Sequence, residues 1–402
     1  MKKAFFTVVA VLAMAVAGVI ATPDESSATP TFARQTNQAC NACHFQYFPK
    51  LNAYGRAFKL GGFTDASVDL IEDDTVSIPA TMPVSFVTKL RYVKTDPKTS
   101  PAVDAGTDKG EWQVPDEAVI FLGGRANENV GYLIEWTGEW ANGKVLIPFY
   151  KGDVTAGLTV FSTDGHGPGV SQELFNTGIL RGQRAFEMRK ESSIAQKMGY
   201  GTRATGLGVY LGGDLFFATA SLWAPYNTAV DTGFDLSTYY RAAFTPNVGD
   251  MDLMVGIFGT AGETKCVNCE SASVETTKKT ESFGVDAQLQ GEVGGMTLEV
   301  QAMYLVAGGD APSDANTSRL FTKSNGYSGS INLGFHPKAG ASVAYSSYTD
   351  ESGASDVDTE ATVVGLWYML AQNISIRPEY AFYSNDGRSN DSQLLFMLFA
   401  GF

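Results

Sequence analysis

Beyond an N-terminal leader the 402-residue chain contains no run of eighteen apolar residues. That excludes a transmembrane helix, which needs about 20 such residues to cross a bilayer. Charge is sparse too: Asp, Glu, Lys and Arg make up 18% of the chain and sum to a net charge of -14, a balance that argues against nucleic acid as a partner. Cysteine is limited to four residues in two CxxC pairs, Cys40 with Cys43 and Cys266 with Cys269. The stretch from Thr29 to Phe63 has no methionine and a single histidine, His44.

What the chain does have is glycine and aromatics, with 43 Gly, 25 Phe and 17 Tyr spread through many short alternating segments. This composition suits strands rather than a helical core. At the N-terminus, Lys2 and Lys3 precede an apolar run from Ala4 to Ala21 and then a polar stretch. That layout reads as a secretory signal peptide over residues 1–28, cleaved after Ala21 or after Ala28. Export implies a compartment in which unligated cysteine pairs oxidise.

In Met296 to Tyr304, the residues Met296, Leu298, Val300, Ala302 and Tyr304 alternate with Thr297, Glu299, Gln301 and Met303, giving one apolar and one polar face at period two. Phe283, Val285, Ala287 and Leu289 alternate in the same way with Asp286, Gln288 and Gln290, and Ile374, Ile376, Tyr380 and Phe382 with Ser375, Arg377 and Glu379. Polar and charged side chains at such regular positions fit a wet lumen better than a dry sandwich core.

Roughly sixteen such segments fit between Pro83 and Phe402, each near the ten residues that a tilted membrane strand needs. Tight turns, such as Gly212-Gly213, Asn247 to Asp250, Glu292 to Gly295, His336 to Gly340 and Ala371-Gln372, alternate with longer polar loops near 96–116, 164–201, 226–236, 263–278, 307–322 and 350–358. Short turns on one side and long loops on the other are the asymmetry of outer-membrane barrels, and an even strand count returns both ends to the periplasm. The apolar stretch Leu394 to Phe402 would close such a barrel against its first strand and leave no free edge. By its length the loop 164–201 is the one to fold inward, with Arg181, Arg184, Arg189 and Lys190 lining a constriction, pairing with haem propionates, or simply solvated.

Cys40-Asn41-Ala42-Cys43-His44 is a CxxCH pattern, in which two thiols add to the haem vinyl groups and the adjacent imidazole reaches the iron. A disulfide or zinc site with an incidental histidine is the alternative, and export favours haem. Pro49 is placed to open a short helix carrying Leu51, Tyr54 and Phe58 on one face, stopped by Gly61-Gly62. About forty residues are too few to enclose a haem alone, so its shelter must come from the barrel. A distal iron ligand of the usual kinds must come from beyond residue 80 or be absent. Met82, Met254, Met303, His166 and His336 have the chemistry, with ordinary packing or turn roles as the alternative for each.

The run from Thr29 to Thr36, then Cys40 to His44, Phe45 to Pro49, Leu51-Asn52, Gly55-Arg56 and Phe58-Lys59 closely resembles the fused cytochrome-porin iron oxidases of iron-oxidising bacteria. The resemblance is dense over about thirty-five residues and architectural beyond residue 80. It implies a signal peptide (1–28), a c-type cytochrome segment (29–65), a linker (66–82) and an outer-membrane barrel of about sixteen strands (83–402), with the haem segment plugging the lumen. It further implies one covalent haem c on Cys40 and Cys43, His44 as proximal iron ligand, oxidation of extracellular Fe(II), and transfer of the electron to a periplasmic carrier. A haem-containing conduit for another donor, or a solute porin with a structural haem, would share these features. Asp350, Glu351, Asp356, Asp358 and Glu360 fall in one surface loop that either concentrates Fe(II) or is merely solvated. Cys266 and Cys269 are followed by Glu270 rather than histidine and read as a surface disulfide, with metal binding or redox activity as alternatives.

Overall fold

The computed structural model describes residues 31–65, 70–73, 77–80, 82–97, 107–138, 141–163, 186–225, 235–267, 275–309, 317–385 and 391–402. The signal-peptide residues 1–28 lie outside these ranges, as do His166, Arg181, Arg184 and Cys269. Sixteen antiparallel strands close into one barrel. They are β1 (Val84–Asp96), β2 (Glu111–Asn127), β3 (Val130–Trp136), β4 (Ala141–Tyr150), β5 (Val154–Thr163), β6 (Ala204–Gly213), β7 (Phe216–Ala224) and β8 (Ser237–Phe244). The second half comprises β9 (Met251–Ala261), β10 (Ser282–Val293), β11 (Met296–Ala307), β12 (Ser324–His336), β13 (Ala339–Asp350), β14 (Val357–Ala371), β15 (Ile374–Asn385) and β16 (Ser392–Gly401).

Strand β16 pairs with β1 from Ser392↔Asp96 to Gly401↔Val87, and Phe402 exchanges backbone hydrogen bonds with Phe86 at 2.8 and 2.9 Å. The last residues thus remove the edge that an open sheet would leave. The alternation read from the sequence sets the two faces. Phe283, Val285, Tyr304 and Phe382 are exposed on the outside, whereas Asp286, Gln288, Gln290 and Glu299 are buried within. At the short-turn end Phe149, Tyr150, Phe216, Phe244, Phe335 and Phe402 are exposed, and at the opposite rim Trp112, Trp136 and Tyr327, which makes two aromatic girdles around an apolar band.

Short turns join β2 to β3, β4 to β5, β6 to β7, β10 to β11, β12 to β13 and β14 to β15 at one end. Gly294-Gly295 and Asn373 take positive φ there, which lets so few residues reverse the chain. Two regions differ from the sequence reading. The linker 66–82 contains a small hairpin of Leu70–Glu72 with Ser77–Pro79. The expected loop 263–278 instead continues as strand, Glu263–Val267 pairing with Glu275–Lys279 and that in parallel with Thr317–Arg319. Period two there reflects local pairing of polar residues outside the barrel, which carries no hydrophobic signature.

Candidate functional site

Residues 31–65 form three short helices, α1 (Thr31–Thr36), α2 (Cys40–Cys43) and α3 (Ala53–Leu60). The third begins later than the position of Pro49 suggests. Its cap is Asn52, whose side chain accepts from the Gly55 N–H at 2.9 Å, so Leu51 lies outside the helix and Tyr54 is exposed. Gly61 ends it, and Gly62 and Phe63 follow with positive φ.

The single turn α2 sets Cys40 and Cys43 side by side, and no bridge joins the two thiols. The motif is tied back onto residues 50–52: Phe45 N–H donates to Lys50 O at 2.8 Å, Asn52 N–H to Cys43 O at 3.0 Å, and Asn52 Nδ2 to Ala42 O at 2.9 Å. His44 Nδ1 lies 3.2 Å from Lys50 O, so the nitrogen donates there and Nε2 keeps its lone pair. Metal-bound histidines are typically oriented by such a second hydrogen bond. Burial lowers the His44 pKa to about 4, keeping the imidazole neutral near pH 7, and burial raises both cysteine thiols. Two unbridged thiols on one helical turn, followed by an oriented neutral imidazole, form a donor set that fits covalent haem.

Contacts run from this segment to inward-facing side chains and backbone at the short-turn end of the barrel, on nearly every side. Thr31 Oγ1 and Gln35 Nε2 donate to Gly123 O, each at 2.7 Å. Gln46 Nε2 reaches Thr297 and Asn332, and Gln290 Nε2 donates to Leu51 O at 3.2 Å. Arg56 pairs with Asp252 at 2.6 Å, Leu60 packs on Gly212, and Gly62 packs on Gly131 and Pro148. Tyr47 packs on Trp367, Phe48 stacks on Phe399, and Arg377 Nη2 donates to Phe48 O at 3.1 Å. Lys50 meets Glu299 at 2.9 Å with both side chains fully buried, and Glu299 also accepts from Gln288, Gln290 and Asn332. The segment therefore lies inside the ring rather than beside it.

The described part of the long loop also turns inward. It carries α4 (Arg189–Ser192) and α5 (Ile194–Lys197). Glu379 accepts from the Glu187 and Met188 N–H groups at 2.5 and 2.8 Å, Ile194 N–H donates to Ser328 Oγ at 3.0 Å, and Ser346 Oγ donates to Glu191 O at 2.7 Å. Arg189 pairs with Glu187, which also meets Lys89 and Arg91. Lys190 lines, with Arg91, Gln113, Met188, Gln393 and Leu395, a pocket of about 300 Å³ between this insert and the barrel wall.

The candidate iron ligands from the sequence are dispersed. Met82 is exposed at the rim, Met254 is buried with Phe58 and Leu60, and Met303 is buried with Phe321 and Tyr200. His336 sits in a hairpin turn, where Nδ1 accepts from Lys338 N–H at 3.1 Å. The loop carboxylates act singly: Asp350 accepts from Ser352, Glu351 from Asn325, Asp358 from Thr349 and Glu360 from Ser384. Among the described residues no group of three or more His, Cys, Asp or Glu is arranged to hold a metal. Cys266 lies on the strand Glu263–Val267, and its pairing with Cys269 falls outside the described residues. The sequence reading placed Arg377 and Glu299 on the inward face but missed their contacts with Phe48 O and Lys50, and it missed the inward Met188 and Met397.

No protein-family model matches the chain, and no curated protein matches it by sequence. Solved structures do match. A loop-deletion variant of OmpT, an outer membrane protein of Vibrio cholerae, has a TM-score of 0.50 at 10% identity, covering 79% of this chain and 99% of that one. OmpT itself gives 0.49 at 10% identity over 83% and 100%, and a BenF-like porin from Pseudomonas fluorescens gives 0.47 at 10% over 79% and 98%. The likeness is one of fold: the chain is an all-β closed barrel of the outer-membrane kind.

Proposed function

We propose that this protein is an outer-membrane c-type cytochrome that oxidises Fe(II) outside the cell and passes the electron to a periplasmic carrier. The observation that carries the reading is the Cys40–His44 turn, with His44 oriented by Lys50 O, seated within the short-turn end of a barrel whose outside is a girdled apolar band. In barrels of this kind that end faces the periplasm, and the band meets membrane lipid over about 25 Å. Cys40 and Cys43 would hold one haem c, with His44 as the proximal ligand to its iron. When bound, that group supplies a one-electron couple, which suits a donor that gives up one electron as Fe(II) becomes Fe(III).

The chain's own part is placement. The barrel wall and the 186–200 insert shelter the site from both sides, and the ion pairs and hydrogen bonds of residues 31–65 fix it relative to the wall. Ferric iron is insoluble near neutral pH, so taking the electron at the outer face leaves the product outside. The occupied interior argues against a solute porin.

The test is anaerobic addition of Fe(II) to the purified, detergent-solubilised protein near neutral pH, with the haem absorbance followed in time. Rapid reduction is the expected result. Haem that responds to dithionite but not to Fe(II) would refute the oxidase and leave a conduit for another donor.

A further inference from the structure

The barrel interior is divided. One side is polar, with Asp286 bidentate to Arg241 at 3.0 and 2.9 Å and Glu299 in its hydrogen-bond network. The other side, built by β1, β2 and β13 to β16, buries Val87, Val119, Val363, Leu395, Met397 and Phe399 in one apolar cluster. Phe186 and Met188 of the insert meet it from the outer side, and Phe48 of the N-terminal segment from the short-turn side. Lys89, Arg377 and Glu379 are buried on the same strands, so this face is an apolar patch set among charges, and Met397 stands in register with Arg377 on one side and Arg91 on the other.

Two methionines belong to that cluster, Met397 on the wall and Met188 on the insert. The others belong elsewhere: Met82 is exposed, Met254 is covered by α3 residues, Met198 and Met303 pack around Phe321 farther out, and Met251, Met296 and Met369 lie near the ends of their strands at the short-turn rim. Met397 is buried one inward-facing position beyond Phe399, the residue that reaches Phe48 beside His44. It lies two residues before Phe399 on β16, so the two share the inward face. The Phe399 ring stacks on Phe48 at 5.7 Å, and the Phe48 ring is 5.2 Å from the His44 ring. The register partner of Met397 is Arg377, which holds Phe48 O. Met188 belongs one row farther out, where its N–H donates to Glu379.

We infer that Met397 supplies the second axial ligand to the haem iron, opposite His44. This rests on the haem attachment proposed above. The thioether is neutral and soft, sits on a membrane-closing strand held by backbone pairing on both sides, and requires no titration to bind. Its ligation would set the potential above that of a bis-imidazole site. Met188 then acts only as part of the cover.

The experiment is spectroscopy and potentiometry of the purified holoprotein and its variants. The ferric wild type should show the weak red charge-transfer band of sulfur-ligated haem, and the ferrous form a strongly upfield-shifted methionine methyl resonance. Met397→Leu should lose both and shift the midpoint potential downward, while Met188→Leu and Met254→Leu keep both. A second variant, Met397→His, should show a bis-imidazole spectrum if the side chain faces the iron. The inference is overturned if the wild type carries haem without the sulfur signatures, or if Met397→Leu retains them. If neither variant folds, the wild-type spectra still decide whether sulfur binds the iron, and Met188→Leu and Met254→Leu whether another methionine supplies it. Absence of covalent haem from the wild type would instead overturn the functional reading and this inference with it.

Discussion

At the scale of single residues, the site depends on a close approach that only glycine permits. A Cβ on Gly55 would stand 2.2 Å from the Cys43 carbonyl oxygen, so any side chain there must push α3 off the CxxC turn. Gly55→Ala should therefore lower covalent haem incorporation by several-fold, measured as haem-dependent peroxidase staining per unit protein; full incorporation would show that the turn can give way. Cys40, Cys43 and His44, the residues proposed to hold haem, could be named from the sequence because their chemistry is contiguous. The inward direction of Met397 could not be read, since the stretch from Leu394 to Phe402 is apolar on both faces and its parity is fixed only by the neighbouring strands. The pairing of Lys50 with Glu299 was equally hidden, because 249 positions separate the partners and Lys50 alone looks like an ordinary surface charge.

At the scale of elements, alternation revealed the barrel strands, and loop lengths revealed which end is which. Both signals come from the environment of the wall, apolar outside and mostly polar inside. Where that environment ends they vanish, which is why the hairpin at 70–79 and the strand extension at 263–279 escaped notice. The docking of residues 31–65 was inferred only from their inability to bury a haem unaided, and its partners were not foreseeable. The buried Lys50–Glu299 pair is the contact most sensitive to change. Lys50→Met would strand a carboxylate among groups arranged to meet a cation, and breaking a buried pair by losing one partner costs about 3–5 kcal/mol. Protease cleavage within residues 31–65 should then become rapid in detergent. The double variant Lys50→Met with Glu299→Leu should recover part of the protection, and equal cleavage of both would show that the pair does not hold the segment.

For the whole molecule, the proposed function requires that residues 31–65 and the insert obstruct the barrel rather than leave a channel. Planar bilayer recordings should show little ion conductance for the intact protein and a marked rise when residues 31–65 are removed by internal deletion. Wide conductance in the intact form would contradict the arrangement. Under the proposed function the outer rim would act through its field rather than through a metal site: Asp350, Glu351, Asp358 and Glu360 each accept from a local donor, and with Asp356 they would attract cations over a distance set by ionic strength. Replacing them with Asn and Gln should slow Fe(II)-dependent haem reduction most at low salt, and a rate equal to that of the wild type would remove them from the process. The seam between β16 and β1 carries a further consequence, for biogenesis. On the proposed reading, a ring zipped shut by its last strand around the N-terminal segment would admit no large guest afterwards, so the haem would have to be joined to Cys40 and Cys43 while the chain is still an unclosed ribbon in the periplasm. Maturation and membrane insertion are thereby placed in sequence, and a chain that closes too early is committed to remaining empty.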